Sequence, residues 1–272
     1  GRVLVVGCIT FAGDTPQVLS SAELYDPLTN TWESRGALKD ARMNHTASHL
    51  VDGSILICAG TNFAGPQPIP VPDDMIGFVD SILVFSYLLT GGTGLNSCEL
   101  YGQTDGGDGT AFGWGPTPPL GLERTFHLAT DLPGGKVLIT GGYRKATLPN
   151  PFTMSHVDLF DIVADSYVWS DASEDMTSAR YHHTATLVGN DRVVVTGGTN
   201  RNIWGGGPLD GVESYSISAN AWIGVDPMAV SRGLHTATSL PEHNLLVAAG
   251  GEGVNQLDLG GVELLELQTD TW

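Results

Sequence analysis

One pattern recurs along the chain at a nearly fixed period, and it limits the possible folds more than any other feature. Its first half is Arg-x-x-His, a short β-rich stretch, a turn, an aliphatic run and a Gly pair. It occurs as Arg42-Met43-Asn44-His45 leading to Ala59-Gly60, and as Arg124-Thr125-Phe126-His127 leading to Gly141-Gly142. Two further copies run from Arg180-Tyr181-His182-His183 to Gly197-Gly198 and from Arg232-Gly233-Leu234-His235 to Gly250-Gly251. The His precedes the second Gly by 15 residues in three copies and by 16 in the fourth. The second half is an acidic residue inside an apolar strand, followed by a Trp. Its copies begin at Glu23, Glu99, Asp158, Glu213 and Glu263 and end at Trp32, Trp114, Trp169, Trp222 and Trp272.

Each unit has room for four short strands separated by turn residues, with no stretch long enough for an intervening helix. The unit is therefore expected to be one antiparallel sheet. A lone four-stranded sheet leaves much apolar surface wet, whereas several packed face to face bury both faces and expose only short edges. The 36 Gly and 15 Pro among 272 residues, with 15% charged residues, exclude a coiled coil, a collagen and a disordered tail. The Gly pair suits positions where a side chain has no room or the chain leaves a strand at positive φ. The Trp is expected to fill space between neighbouring sheets.

Gly-Gly after an aliphatic strand, then an acidic-x-Tyr strand and a Trp, as in Ser21-Ala22-Glu23-Leu24-Tyr25-Asp26-Pro27 with Trp32, resembles the kelch family of β-propellers. The resemblance covers nearly the whole chain and implies an all-β fold, a single kelch-type propeller domain over residues 1–272. Six blades are expected if Gly7-Cys8, Ala59-Gly60 and Gly91-Gly92 all count as anchors. The alternative is five blades with an insertion, because Gly60 and Gly92 stand only 32 residues apart and residues 61–92 are irregular and Pro-rich. The chain opens on an aliphatic strand, Arg2 to Val6, so the first blade is expected to lack its innermost strand. Residue 1 is not Met and the first residues already read as a strand, so targeting is not legible and a longer precursor stays open.

With strands named a to d from the inside, antiparallel alternation places the b–c loops and the d–a connections on one face. Arg42, Arg124, Arg180 and Arg232, four of nine arginines, then gather at one mouth of an acidic protein. They are candidates for an anion or acidic-peptide socket, as the resemblance suggests, since some kelch propellers present arginines there. The competing demand is internal: a buried Arg needs a carboxylate, and the repeated acids supply one per unit. The b–c loops vary most and are where a scaffold carries specificity. They contain Asn62-Phe63, Tyr143-Arg144-Lys145 and Asn200-Arg201-Asn202-Ile203-Trp204. Trp204, Arg201, Asn202, Tyr143, Arg144 and Phe63 are the candidate contacts, with Trp204 foremost because it lies off the repeat position in a Gly-rich loop. An aromatic face beside Arg and Asn suits a sugar or a protein hot spot.

No set of residues converges on catalysis. The repeated His45, His127, His183 and His235 are splayed by the repeat and are expected to make structural hydrogen bonds rather than a metal ring. Tyr181-His182 resembles the Tyr-His pair of copper radical oxidases, which also carry kelch propellers, but His183 occupies the repeat position and no Cys sits beside a second suitable Tyr. The expected function is a non-enzymatic binding or scaffolding propeller, without metal or cofactor, that recognises a protein or carbohydrate partner through its b–c face. The alternatives are a propeller enzyme, such as a copper radical oxidase or a sugar-isomerising kelch protein, and a structural extracellular subunit within a larger assembly that closes the first blade.

The formal charge of −18 repels phosphate backbones and anionic lipid, so nucleic acid is an unexpected partner. No apolar run reaches the roughly 18 residues that a membrane span needs, so membrane insertion is not expected either. Three cysteines, Cys8, Cys58 and Cys98, form neither a disulfide framework nor a metal motif, although Cys8 and Cys58 fit neighbouring strands. Few Lys and many acids suit an extracellular or cell-surface setting, with the cytoplasm as the alternative.

Overall fold

The computed structural model describes residues 1–12, 15–62, 93–103, 112–144, 153–164, 166–172, 174–201 and 205–272. Among these residues the regular elements are β-strands and short 3-10 turns, with no α-helix. They form two compact units, Gly1–Ala47 with Gly53–Thr125, and Ser48–Asp52 with Phe126–Trp272.

The first unit opens with an antiparallel sheet of β1 (Val3–Ala12), β2 (Thr15–Asp26) and β3 (Thr31–Ala37), in that order. A register shift between Val6 and Cys8 puts a bulge where later repeats carry the Gly pair. Then come β4 (Thr46–His49), β5 (Ile55–Cys58), the short pair β6 (Thr61–Asn62) and β7 (Thr93–Gly94), β8 (Cys98–Gln103) and β9 (Phe112–Pro116). The second sheet runs β4-β5-β8-β9. A six-blade count needs Gly91-Gly92 as an anchor of its own. β5 pairs directly with β8, so the chain between them links two strands of one sheet. Most of it, including Phe63 and Gly91-Gly92, lies outside the described residues. Cys58 and Cys98 face each other in that register and form a disulfide, while Cys8 is free and exposed. The expected adjacency of the Cys8 and Cys58 strands, and the expectation of no disulfide framework, are thereby corrected, since the strand paired with that of Cys58 is the one bearing Cys98.

The second unit holds β10 (Leu128–Asp131), β11 (Val137–Thr140), β12 (Val157–Val163) and β13 (Ser166–Asp171) in one four-stranded sheet. The next comprises β14 (Thr184–Val188), β15 (Arg192–Thr196), β16 (Val212–Ser216) and β17 (Ala221–Val225). The last comprises β18 (Thr236–Leu240), β19 (Leu245–Ala249) and β20 (Val262–Glu266), with Thr271 bridging to Glu266. Blade-type sheets among the described residues therefore number five, and all follow the a-b-c-d order as far as their strands are described.

The aliphatic b strands are continuous rather than alternating because both of their faces are buried. In β15, Val193 and Val195 pack with Leu138 and Val157 of the preceding sheet, while Val194 packs with Leu246, Ala248 and Leu265 of the following one. Each such valine contributes roughly 1.5–3 kcal/mol on burial. The c–d turns use Asn in the left-handed region, which Asn tolerates better than most residues. Asn30 (φ 55°) and Asn220 (φ 49°) each accept a hydrogen bond from the Tyr of the preceding strand, Tyr25 and Tyr215. The repeat Trp packs on that same Tyr and reaches the sheet before it. Trp222 lies 5.2 Å from Tyr215 between ring centroids and donates Nε1–H to the Glu174 carbonyl at 3.0 Å. Trp114 does the same with Tyr101 and the Arg35 carbonyl.

Candidate functional site

The repeat arginines enter their blades as hooks. Arg180 is fully buried; its Nη1 donates to the carbonyls of Gly197 (2.7 Å) and Gly211 (2.9 Å), and its Nη2 to Glu213 Oε1 (2.6 Å). Arg232 repeats this with Gly250, Gly261 and Glu263, and Arg42 with Ala59, Ser97 and Glu99. Each glutamate also accepts two backbone N–H groups from the residues just before its arginine, as Glu213 does from Thr177 and Ser178. The guanidinium thus ties the end of strand b to strand c, and the carboxylate ties the d–a connection to strand c. Burial pulls Arg42 and Arg180 below the usual guanidinium range, and Glu99 and Glu213 oppose that pull. Arg124 is likewise fully buried. All four arginines are buried, and three hold a glutamate of their own blade.

The Gly pair is explained by the same hooks. A Cβ on Gly197 would meet the Arg232 carbonyl oxygen at 2.3 Å, and one on Gly198 (φ +92°) would meet the Tyr181 oxygen at 2.8 Å. The second residue of each pair donates its N–H to the arginine carbonyl of the next blade, seen for Gly60 with Arg124, Gly142 with Arg180 and Gly198 with Arg232. Cys8 makes the same bond to Arg42 although it is not Gly.

Two of the repeat histidines join sheets through hydroxyls. His183 Nε2 lies 2.8 Å from Thr140 Oγ1, and His235 Nε2 lies 2.7 Å from Thr196 Oγ1. Burial and, secondarily, the nearby arginine lower His45 and His235 to about 4, and burial lowers His183 well below the ordinary range. All three stay neutral at pH 7, as a buried imidazole should.

The b–c connections rise from this uniform base and differ. In the fourth blade Tyr181, Thr199 and Pro208 form successive bridges, and Asn200 Oδ1 accepts the Gly207 N–H at 2.9 Å. Arg201, half-buried, is held by its backbone: its N–H meets Thr199 Oγ1 and its carbonyl accepts the Tyr181 hydroxyl at 3.2 Å. Its own burial pushes the Tyr181 phenol up to about 12, against the opposing pull of Arg201. Tyr143 is fully buried, its ring 5.4 Å from that of Tyr181, and His182 packs 4.8 Å from Tyr181 edge-on. Arg144 is half-buried at its own loop. Phe63, Asn202 and Trp204 lie outside the described residues. The candidates therefore separate into an internal group, the four arginines with Tyr143, and a loop group in which Arg144 and Arg201 are described.

A separate recess lies beside the Glu99 hook, a cleft of about 630 Å³ lined by residues that include Lys39, Ser97, Glu99, Trp114 and Pro116. Sequence reading passed over it because none of these residue types is conspicuous alone. At the equivalent positions of the third blade stand His156, Asp158 and Asp171, a cluster that is visible only once the repeat register is known.

The comparisons with known proteins agree with this geometry. The kelch motif model matches residues 180–229, one complete hook-to-Trp repeat. The solved structure of YjhT, a kelch-type propeller, superposes with a TM-score of 0.67 at 16% identity, covering 97% of this chain and 78% of that one. No curated protein matches the sequence. The matched motif and the fold are both similar to those of kelch-repeat β-propellers.

Proposed function

We propose that this propeller is a non-enzymatic binding or scaffolding module that recognises a protein or glycan partner through its b–c loops. One observation carries the reading: the repeat positions are occupied by internal structure, while the loops rising from them are free to differ. Arg180, Glu213 and His183 are all buried. The connections between b and c strands, by contrast, run from Cys58 to Cys98, Thr140 to Val157, Thr196 to Val212 and Ala249 to Val262. Variable loops on a rigid base are how repeat scaffolds acquire partners. The Cys58–Cys98 disulfide supports an extracellular or cell-surface setting, because such bonds persist in oxidising compartments. A strand supplied to the β1 edge by a larger assembly belongs to the same reading, since Val3 and Val5 on that edge are 53% and 44% exposed.

A glycan array together with a pull-down tests it, using wild type, Arg201→Ala and Trp204→Ala. Both variants should keep the wild-type melting temperature and lose binding at least tenfold. Binding that is unchanged in both would overturn the loop assignment.

A further inference from the structure

The third blade departs from the repeat at three neighbouring positions. Two residues before the repeated acid, the other blades carry Ser21, Ser97, Gly211 and Gly261; here the residue is His156. The acid itself is Asp158 where the others have Glu. Opposite it across the c–d pair the other blades carry Ser34, Pro116 and Gly224; here the residue is Asp171. Nothing in the hook scheme calls for these changes, and all three bring metal-ligating atoms to one place.

We propose that His156, Asp158 and Asp171 form a binding site for a divalent transition-metal ion of the zinc class. His156 Nε2 stands 3.5 Å from Asp158 Oδ1 and 3.8 Å from Asp171 Oδ1, and the three ligand atoms all lie within 4.8 Å of one another. Both imidazole distances exceed an ordinary N–H···O hydrogen bond. They are close to the separation of about 3.4 Å that donors adopt around a tetrahedral ion with bonds of about 2.1 Å. Asp171 is 81% exposed at its side chain, so a rotation about its own bonds closes the remaining gap. Asp158 is almost fully buried and needs to offer only the oxygen that already faces the ring.

The imidazole is also prepared from behind. Its Nδ1 lies 3.0 Å from Asp175 Oδ1, and the same oxygen accepts the Val157 N–H at 3.2 Å. A proton held on Nδ1 by a carboxylate leaves the Nε2 lone pair directed at the other two acids, the arrangement that orients and strengthens metal-bound histidines. One imidazole and two carboxylates neutralise a dication and suit zinc, cobalt or manganese rather than the all-oxygen set of calcium. The place is accessible, since the side chains of His156 and Asp171 are 23% and 81% exposed. Coordination positions left open by the protein would face solvent there.

The competing arrangement is an imidazolium held by its acids, with no affinity for metal. Titration of the full chain with Zn²⁺ by calorimetry, and with Co²⁺ by visible absorption, distinguishes the two. One equivalent should bind with micromolar affinity and raise the melting temperature. Asp171→Asn, a change at an exposed side chain, should weaken binding at least tenfold, and His156→Gln should abolish the cobalt spectrum. Asp226→Asn, elsewhere on the surface, should leave both unchanged. Absence of stoichiometric binding, or binding that survives in both Asp171→Asn and His156→Gln, would overturn the site.

Discussion

The first and fourth blades carry the same strands b, c and d, and they differ in whether strand a is present among the described residues. In the fourth blade Val193 and Val195 are fully buried; Val3 and Val5, at the same distances before the anchor position, are 53% and 44% exposed. Glu213 is buried and holds Arg180 with two backbone N–H groups, whereas Glu23 is exposed and no donor reaches it among the described residues. The contrast separates two layers of causation. The b-c-d meander forms from local pairing and turn chemistry alone, as β1 to β3 show with their Tyr25–Asn30 and Tyr25–Trp32 contacts. Burial of the b strand and of the repeated acid depends on an incoming arginine strand.

Arg180→Ala should therefore turn the fourth blade's acid into a buried version of the first blade's. It leaves Glu213 without its charge partner at 5% exposure and releases two carbonyls, those of Gly197 and Gly211. Removing one partner of a buried pair costs about 3–5 kcal/mol, because the remaining charge stays desolvated. In a chain of this size that corresponds to a fall of roughly 10 °C in the melting midpoint. Thermal denaturation followed by circular dichroism measures it, and a loss under about 1 kcal/mol would show that the hook is not what seals the blade.

Strand a also brings a histidine, and this adds a pH dependence that the isolated meander lacks. The folded values of about 4 for His45 and His235 lie below the ordinary 6.5, so between those limits the unfolded chain binds more protons than the folded one. Stability is full above pH 6.5 and declines as pH falls towards 4, by about 1.4 kcal/mol per pH unit for each such histidine. His235→Gln, which keeps a group able to bond Thr196 Oγ1, should flatten the decline between pH 6.5 and 5 by one histidine's share. Urea midpoints at the two pH values, for wild type and variant, provide the measurement; parallel slopes would remove His235 from the linkage.

Much of this was legible before any coordinates, for a physical reason. Arg180 to Glu213 and Arg232 to Glu263 recur at nearly constant spacing, and an arginine repeated in every unit of an acidic chain implies an internal partner. The spacing fails for Arg42, whose acid is Glu99, 57 residues on, because the long b–c connection intervenes. That same connection carries Gly91-Gly92, the pair on which the choice between five and six blades turns and which lies outside the described residues. Cys98 was hidden for the same reason, 40 residues from Cys58 in the chain and opposite it in the sheet. Sequence also offered no reason to group His156 with Asp171, since their proximity depends on strand register. Of the loop candidates, Trp204 stands out in sequence because it lies off the repeat Trp position in a Gly-rich stretch.

The smallest effect is expected at Glu23, and it is the one that most sharpens the contrast between the blades. Glu23 has the repeat's carboxylate, but it is exposed and accepts no hydrogen bond from the described residues. Glu23→Gln should leave the melting midpoint unchanged, within the ±0.5 kcal/mol typical of a surface substitution. Glu213→Gln should destabilise by several-fold more, because it removes the charge that Arg180 is buried against. A measured cost at Glu23 approaching that at Glu213 would mean that an arginine strand reaches the first blade in solution, and both blades would then be complete.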